Sequence, residues 1–106
     1  QQKQKEGELI LKEIHPGDTV VLLDEHGMEL RSVEYAKWLK QKQNIARRLV
    51  FIIGGPYGFS PNIYARSNEK ISLSRMTFSH QMVRLIFTEQ LYRACTIIKG
   101  EPYHHE

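Results

Sequence analysis

The chain has 106 residues, 41% of them hydrophobic, with 15 Lys and Arg against 12 Asp and Glu and a formal charge of +3 at pH 7. That size and composition suit one compact soluble domain and exclude a disordered, fibrous or membrane-spanning chain, since no apolar run reaches the roughly 20 residues a bilayer helix needs. The basic balance, with pI near 9.1, permits an anionic partner without identifying one.

The start, "QQKQKEGELILKEI", has neither the apolar core of a signal peptide nor an initiator Met, so a cytosolic piece of a longer chain is expected. Leu9, Ile10 and Ile14, beside a lysine-rich polar side, predict the last turns of an amphipathic helix ended by "HPGD" at 15–18. The continuous apolar run Val20 to Leu23 predicts a strand buried on both faces, as in parallel sheets, followed by a turn at Glu25, His26 and Gly27. Ser32 is the expected cap of the next helix, with Glu34 in its first turn. Val33, Ala36 and Leu39 form its buried stripe, widened by Tyr35 and Trp38. A second buried strand, "RLVFIIGG", runs from Arg48 to Gly55. The order strand, helix, strand predicts a crossover unit and an α/β fold.

The loop "GGPYGFSP" is either a plain turn or a ligand loop, because two glycines after a buried strand let a ligand approach the backbone where open α/β sheets bind theirs. Ser60 and Pro61 fit an N-cap and first helical position for a short helix over 61–67. The strand "KISLS" follows, then a long helix from His80 to Ile98, apolar on nearly every side yet carrying Arg84 and Arg93. "KGEPYHHE" leaves that helix through Gly100 and Pro102 as an extended tail. The single cysteine, Cys95, lies within the apolar helix and reads as a packing thiol in a reducing compartment.

Several chemistries are set aside. "GGPYG" matches neither a P-loop nor a dinucleotide fingerprint. The candidate metal ligands His15, His26, His80, His104, His105 and Cys95 include only one adjacent pair, and there is no nucleophile elbow. What remains is a pocket at the end of the sheet made from "LLD" at 22–24, "GGPYG" at 54–58 and "LSRMTF" at 73–78, with Tyr103, His104 and His105 on the tail.

Taken together, "FIIGG", "SNEKISLSRMTFSHQMVRLIFTEQLYRA" and the ending "KGEPYHH" resemble the RlmH family of large-subunit rRNA pseudouridine N3-methyltransferases, of the SPOUT class. The resemblance runs through the whole chain. It implies an α/β fold with a mainly parallel sheet, helices on its faces and a deep C-terminal trefoil knot, a rare exception to unthreaded topology. It also implies that residues 1–106 are one domain, the carboxyl-terminal two thirds of a protein whose first strand, helix and second strand precede this chain.

The implied cofactor is S-adenosyl-L-methionine, held by Leu23, Gly54, Leu73, Ser74, Arg75, Met76, Thr77 and Phe78, with apolar side chains around the adenine and backbone groups reading its edge. The implied partners are 23S rRNA in the ribosome and a second copy of the chain, against which the long helix would bury its outer face. Methyl transfer to N3 of pseudouridine requires in-line placement and loss of the N3 proton. His104 is the expected base, Tyr103 a stacking or hydrogen-bonding group, and Arg93 a phosphate fork. Arg84 is expected to satisfy a carboxylate such as Glu89 across the dimer, and His80 and Gln81 to cap or pack the helix entry. His105 and Glu106 stand where many relatives carry Lys or Arg, and Ser79 replaces a common proline. The competing expectations are a noncatalytic RNA-binding or dimer-scaffold domain and a small-molecule binding protein.

Overall fold

The computed structural model describes residues 2–54, 58–74, 76 and 78–105, apart from the side chains of residues 2–4 and 80. Among these the elements run α1 (Gln2–Glu13), β1 (Asp18–Glu29), α2 (Ser32–Ile45), β2 (Arg48–Ile53), α3 (Pro61–Arg66), β3 (Glu69–Ser72) and α4 (His80–Lys99). The strands form one parallel sheet in the order β2-β1-β3. The expected α/β architecture is therefore present, with β1 at the centre and helices on both faces.

The run Val20 to Leu23 explains the layering. Successive residues of a strand point to opposite faces. Val21 and Leu23 join Tyr35, Ala36, Trp38 and Leu39 of α2 and Ala94 of α4 in one core. Val20 and Leu22 meet Ile52, Phe59 and Ile63 in a second, packed on by Ile10, Leu11 and Ile14. All four strand residues are buried, and each contributes roughly 1.5–3 kcal/mol by leaving water. Polar pairings pin the edges. Asp18 accepts from the Arg48 Nη2 at 2.6 Å and from the His15 backbone N–H at 2.8 Å, and the Trp38 indole donates to Glu69 at 2.8 Å. Glu69 also pairs with Lys42.

Five local expectations are corrected or refined. No turn interrupts β1 at Glu25 to Gly27: the strand continues to Glu29, while its pairing slips so that Leu23 and Met28 both stand opposite Ile71. Gly27 is needed for closeness, since a Cβ there would lie 2.7 Å from the Ile71 nitrogen. The N-cap of α2 is Arg31, because the Glu34 carboxylate accepts the Arg31 backbone N–H at 2.8 Å. Ser32 instead donates across to Gln90 of α4 at 3.2 Å. Ser60 does sit at the N-cap of α3, but its hydroxyl makes no cap bond and is buried beneath α1 at Gly7. Leu9 faces solvent while Ile10 and Ile14 pack inward.

The fifth correction concerns the tail. Gly100 takes the left-handed conformation at φ 74°, and the backbone N–H of Gly100 and Glu101 cap the carbonyls of Ile97 and Thr96. This reversal turns the chain back along α4 rather than letting it extend.

Candidate functional site

Because all three strands are parallel, their carboxyl ends share one edge of the sheet. There the second half of β1 and the segments after β2 and β3 enclose a cavity of about 510 Å³, within the roughly 300–1,000 Å³ of small-molecule pockets. Leu23, Gly54, Leu73, Ser74, Met76 and Phe78 all line it. Six of the eight residues expected at a cofactor site thus converge from three separate segments. Arg75 and Thr77 lie outside the described residues, as do Gly55, Glu106 and the His80 side chain.

Each segment has a local reason for its course. A Cβ on Gly54 would stand 3.0 Å from the Phe59 ring, so glycine there lets Phe59 close over the end of β2. Ser72 donates to the Ser74 carbonyl at 2.9 Å, and the Ser74 hydroxyl accepts the Met76 backbone N–H at 3.0 Å. These bonds curl the loop after β3 so that Leu73 and Ser74 face the cavity. Ser79 caps α4 by accepting from the Met82 backbone N–H, and Val83 on its first turns closes the wall.

The polar corner is formed by Asp24, His26 and Tyr64, also in the lining. The Tyr64 hydroxyl donates to Asp24 Oδ2 at 2.8 Å, the His26 backbone N–H donates to Asp24 Oδ1 at 3.0 Å, and the His26 ring nitrogen stands 3.4 Å from Oδ1. Burial pulls the Asp24 carboxyl up, but these donors more than offset it, so its pKa lies below the ordinary value. Burial and donation to Asp24 push the Tyr64 phenol up to about 12. The sequence placed Asp24 in the pocket segments but not His26, Phe59 or Tyr64. No spacing rule marks them, because each arrives from a different element.

The expected tail residues form a second cluster. Glu89 and Arg93 pair one turn apart on α4, Arg93 Nη2 donating to Oε2 at 2.9 Å, and the Tyr103 hydroxyl donates to the same oxygen at 3.0 Å. The Arg93 guanidinium lies 4.9 Å over the Tyr103 ring and stands 3.0 Å from His104 Nδ1. Arginine can only donate, so Nδ1 accepts and the imidazole proton sits on Nε2. Hydrogen bonding from Arg93 draws the Glu89 carboxyl below its ordinary pKa. Glu89 therefore pairs with Arg93 of its own helix, and Arg84 is exposed.

Arg93, Tyr103 and His104 do not line the cavity. Ten residues of helix separate Val83 from Arg93, about 15 Å at 1.5 Å per residue. The long helix is not buried all round either: Met82, Leu85 and Tyr92 are 45%, 64% and 56% exposed.

Comparison with known proteins bears on this arrangement. A family model described as "Predicted SPOUT methyltransferase" matches residues 1–104. The chain is similar to the curated "Ribosomal RNA large subunit methyltransferase H" of Phocaeicola vulgatus, 70% identical over 107 residues that cover 100% of this chain and 68% of that protein. The protein of the same name from Bacteroides fragilis is 68% identical with the same coverage. That of Christiangramia forsetii is 60% identical over 99% of this chain and 68% of its own length.

Proposed function

The chain belongs to the SPOUT methyltransferase family, and from that membership we propose that it moves a methyl group from S-adenosyl-L-methionine to N3 of a pseudouridine in 23S rRNA, as a homodimer on assembled ribosomes in the cytoplasm. The observation that carries this reading is the convergence of Leu23, Gly54, Leu73, Ser74, Met76 and Phe78 on one cavity at the carboxyl ends of the strands. An apolar slot with few fixed polar groups fits an adenosyl ligand, which needs enclosure of its base and backbone partners for its edge. On the same reading residues 1–106 act as one domain, and the chain beyond Gly54 threads the family's knot. The noncatalytic alternative is not favoured, because the relatives are named as methyltransferases.

In this mechanism the six lining residues hold the donor, which when bound supplies an electrophilic methyl group on a sulfonium. Tyr103 stacks on the target base and Arg93 grips a backbone phosphate. In the free protein the Nδ1 lone pair of His104 is engaged by Arg93. A phosphate that draws the guanidinium away releases that lone pair, and His104 then accepts the N3 proton. Substrate binding and base activation are thereby one event.

Reacting atoms must come within roughly 3–3.5 Å of each other, which one chain does not achieve across the length of α4. A second copy with its α4 antiparallel would bring the tail cluster of each chain to the cavity of the other. The exposed apolar face of Met82, Leu85 and Tyr92 supports that packing.

Calorimetric titration with S-adenosyl-L-methionine, beside a Gly54→Trp variant that fills the cavity, tests the cofactor site. Binding by the wild type that is lost in a variant of unchanged oligomeric state is expected; absence of wild-type binding would overturn the reading. Methyl incorporation into 23S rRNA tests the substrate. Mixing inactive Gly54→Trp and inactive Arg93→Ala chains tests the shared site, since half of randomly paired dimers carry one intact site and restore about a quarter of the wild-type rate. No recovery would refute exchange between copies.

A further inference from the structure

Among the described residues lining the cavity, the polar corner concentrates one sign of charge. Asp24 and Glu25 are there with His26, and no described Lys or Arg lines the wall. The Asp24 side chain is only 9% exposed, and its two oxygens are held by the Tyr64 hydroxyl and the His26 backbone N–H. Such an anchored carboxylate has little freedom to turn into solvent. Apolar Ile53, Phe59, Leu73 and Val83 share the lining with it, so its field is screened less inside the cavity than on an open surface.

We propose that Asp24 is a specificity-determining residue of this cavity, its carboxylate favouring a ligand with a positive charge at the reacting sulfur over the neutral thioether left once the methyl group has gone. The inference rests on the cofactor reading above and deepens it. Methyl donation removes one positive charge from the bound nucleoside, and with it the attraction to Asp24. The corner thus holds the substrate form and loosens the spent one, limiting product inhibition. Tyr64 and His26 act through Asp24 as positioning residues: they fix where the carboxylate points and keep it ionised.

Dissociation constants for S-adenosyl-L-methionine and S-adenosyl-L-homocysteine, measured by calorimetry on the full chain, read this directly, because the two ligands share everything but the methyl group and its charge. In Asp24→Asn the preference for the charged nucleoside is expected to fall about tenfold, the scale of a unit-charge attraction over several ångströms in a partly solvated site. Asp24→Glu should keep the preference to within about threefold of the wild type. Equal weakening of both ligands in Asp24→Asn, or an unchanged ratio, overturns the inference while leaving the cofactor site standing. Failure of the wild type to bind either nucleoside overturns the cofactor reading and the inference with it. Should Asp24→Asn not fold, the wild type decides: a tertiary-amine analogue of the nucleoside, protonated at neutral pH, should bind about tenfold more tightly than the uncharged thioether, and equal affinities overturn the proposal.

Discussion

Gly27→Ala tests the account of β1 most sharply, because a turn glycine and a close-approach glycine predict different outcomes. At a permissive turn with negative φ, alanine would stabilise by roughly 0.4–1 kcal/mol through the unfolded chain. Here the added methyl would lie 2.7 Å from both the Ile71 nitrogen and the Lys70 carbonyl carbon and 2.8 Å from the Ile71 carbonyl carbon. These are backbone atoms of β3, paired to Leu22 and Leu23, so they cannot swing aside as a side chain would. Relief requires moving one strand against the other, and overpacking of this kind costs roughly 1–3 kcal/mol. Taking the upper part of that range and subtracting the unfolded-chain gain leaves about 2 kcal/mol, or about 8–16 °C in Tm for a domain of this size. The reporter is built in: Trp38 is the only tryptophan and is buried against Tyr35 and Phe51. Its fluorescence should follow thermal and urea unfolding at fixed protein concentration. Gly17→Ala is the control, since its methyl would meet the movable Arg47 side chain at 3.1 Å, and a change under about 0.5 kcal/mol is expected there. A Gly27→Ala protein that melts within 2 °C of the wild type, or above it, would refute the close-approach reasoning.

Gly100→Ala should cost about 1 kcal/mol, because an L side chain must adopt the left-handed φ of 74° that ends α4; a melt against wild type measures it. Asp18 has its carboxyl lowered to about 2 by Arg48 and then by the His15 backbone N–H, so its stabilisation is complete above the ordinary value of 3.8 and is lost as pH falls toward 2. The stability gap between wild type and Asp18→Asn, from urea unfolding, should therefore be constant from pH 7 to about pH 5 and close between about pH 4 and 2. Glu89→Gln removes the negative charge that strengthens the bonds donated to it by Arg93 and Tyr103. The Tyr103 phenol, raised chiefly by that bond, should then titrate closer to the ordinary tyrosine value in an ultraviolet pH titration. Methyl transfer should fall by more than about tenfold, with nucleoside affinity little changed.

The sheet was legible because burial on both faces leaves a local trace. Val20 to Leu23 and Leu49 to Ile53 lack the alternation of a half-exposed strand, and between them lies a helical stripe, which together require a parallel crossover. The cavity was legible for the same reason: parallel strands end on one edge, so the residues after each run were bound to meet. Gly27 misled because "DEHG" has turn composition, and the β3 backbone that fixes its role comes from more than forty residues later. The α2 cap was misplaced by preferring Ser32 on residue type. Counting back three places from Glu34 points to Arg31, whose N–H the carboxylate takes. Tyr103 and His104 read as an extended tail because Gly100 and Pro102 look like chain exits. What holds them is a carboxylate and a guanidinium one turn apart on the preceding helix, a pairing that becomes local only after the chain has reversed.

The two halves of β1 show how this fold combines rigidity with a polar site. From Val20 to Leu23 the strand is buried on both faces, and from Val21 to Leu23 it is paired on both sides, so this half anchors the molecule. After Leu23 the pairing with β3 slips until Met28 takes the same partner, and Asp24 to His26 stand at the cavity instead of in the ladder. A regular strand would have continued the alternation and sent Asp24 toward one of the two apolar cores, where an unpaired carboxylate costs several kcal/mol. The slip avoids that penalty by presenting the carboxylate to Tyr64 and to the His26 backbone N–H. It leaves the ladder irregular, and Gly27 lets the strand resume close against Ile71. The departure from regular pairing is tolerable because the segment before it is so firmly held. The central and most buried strand in the sheet is thus also the one that can carry an ionised side chain to the edge of an apolar cavity.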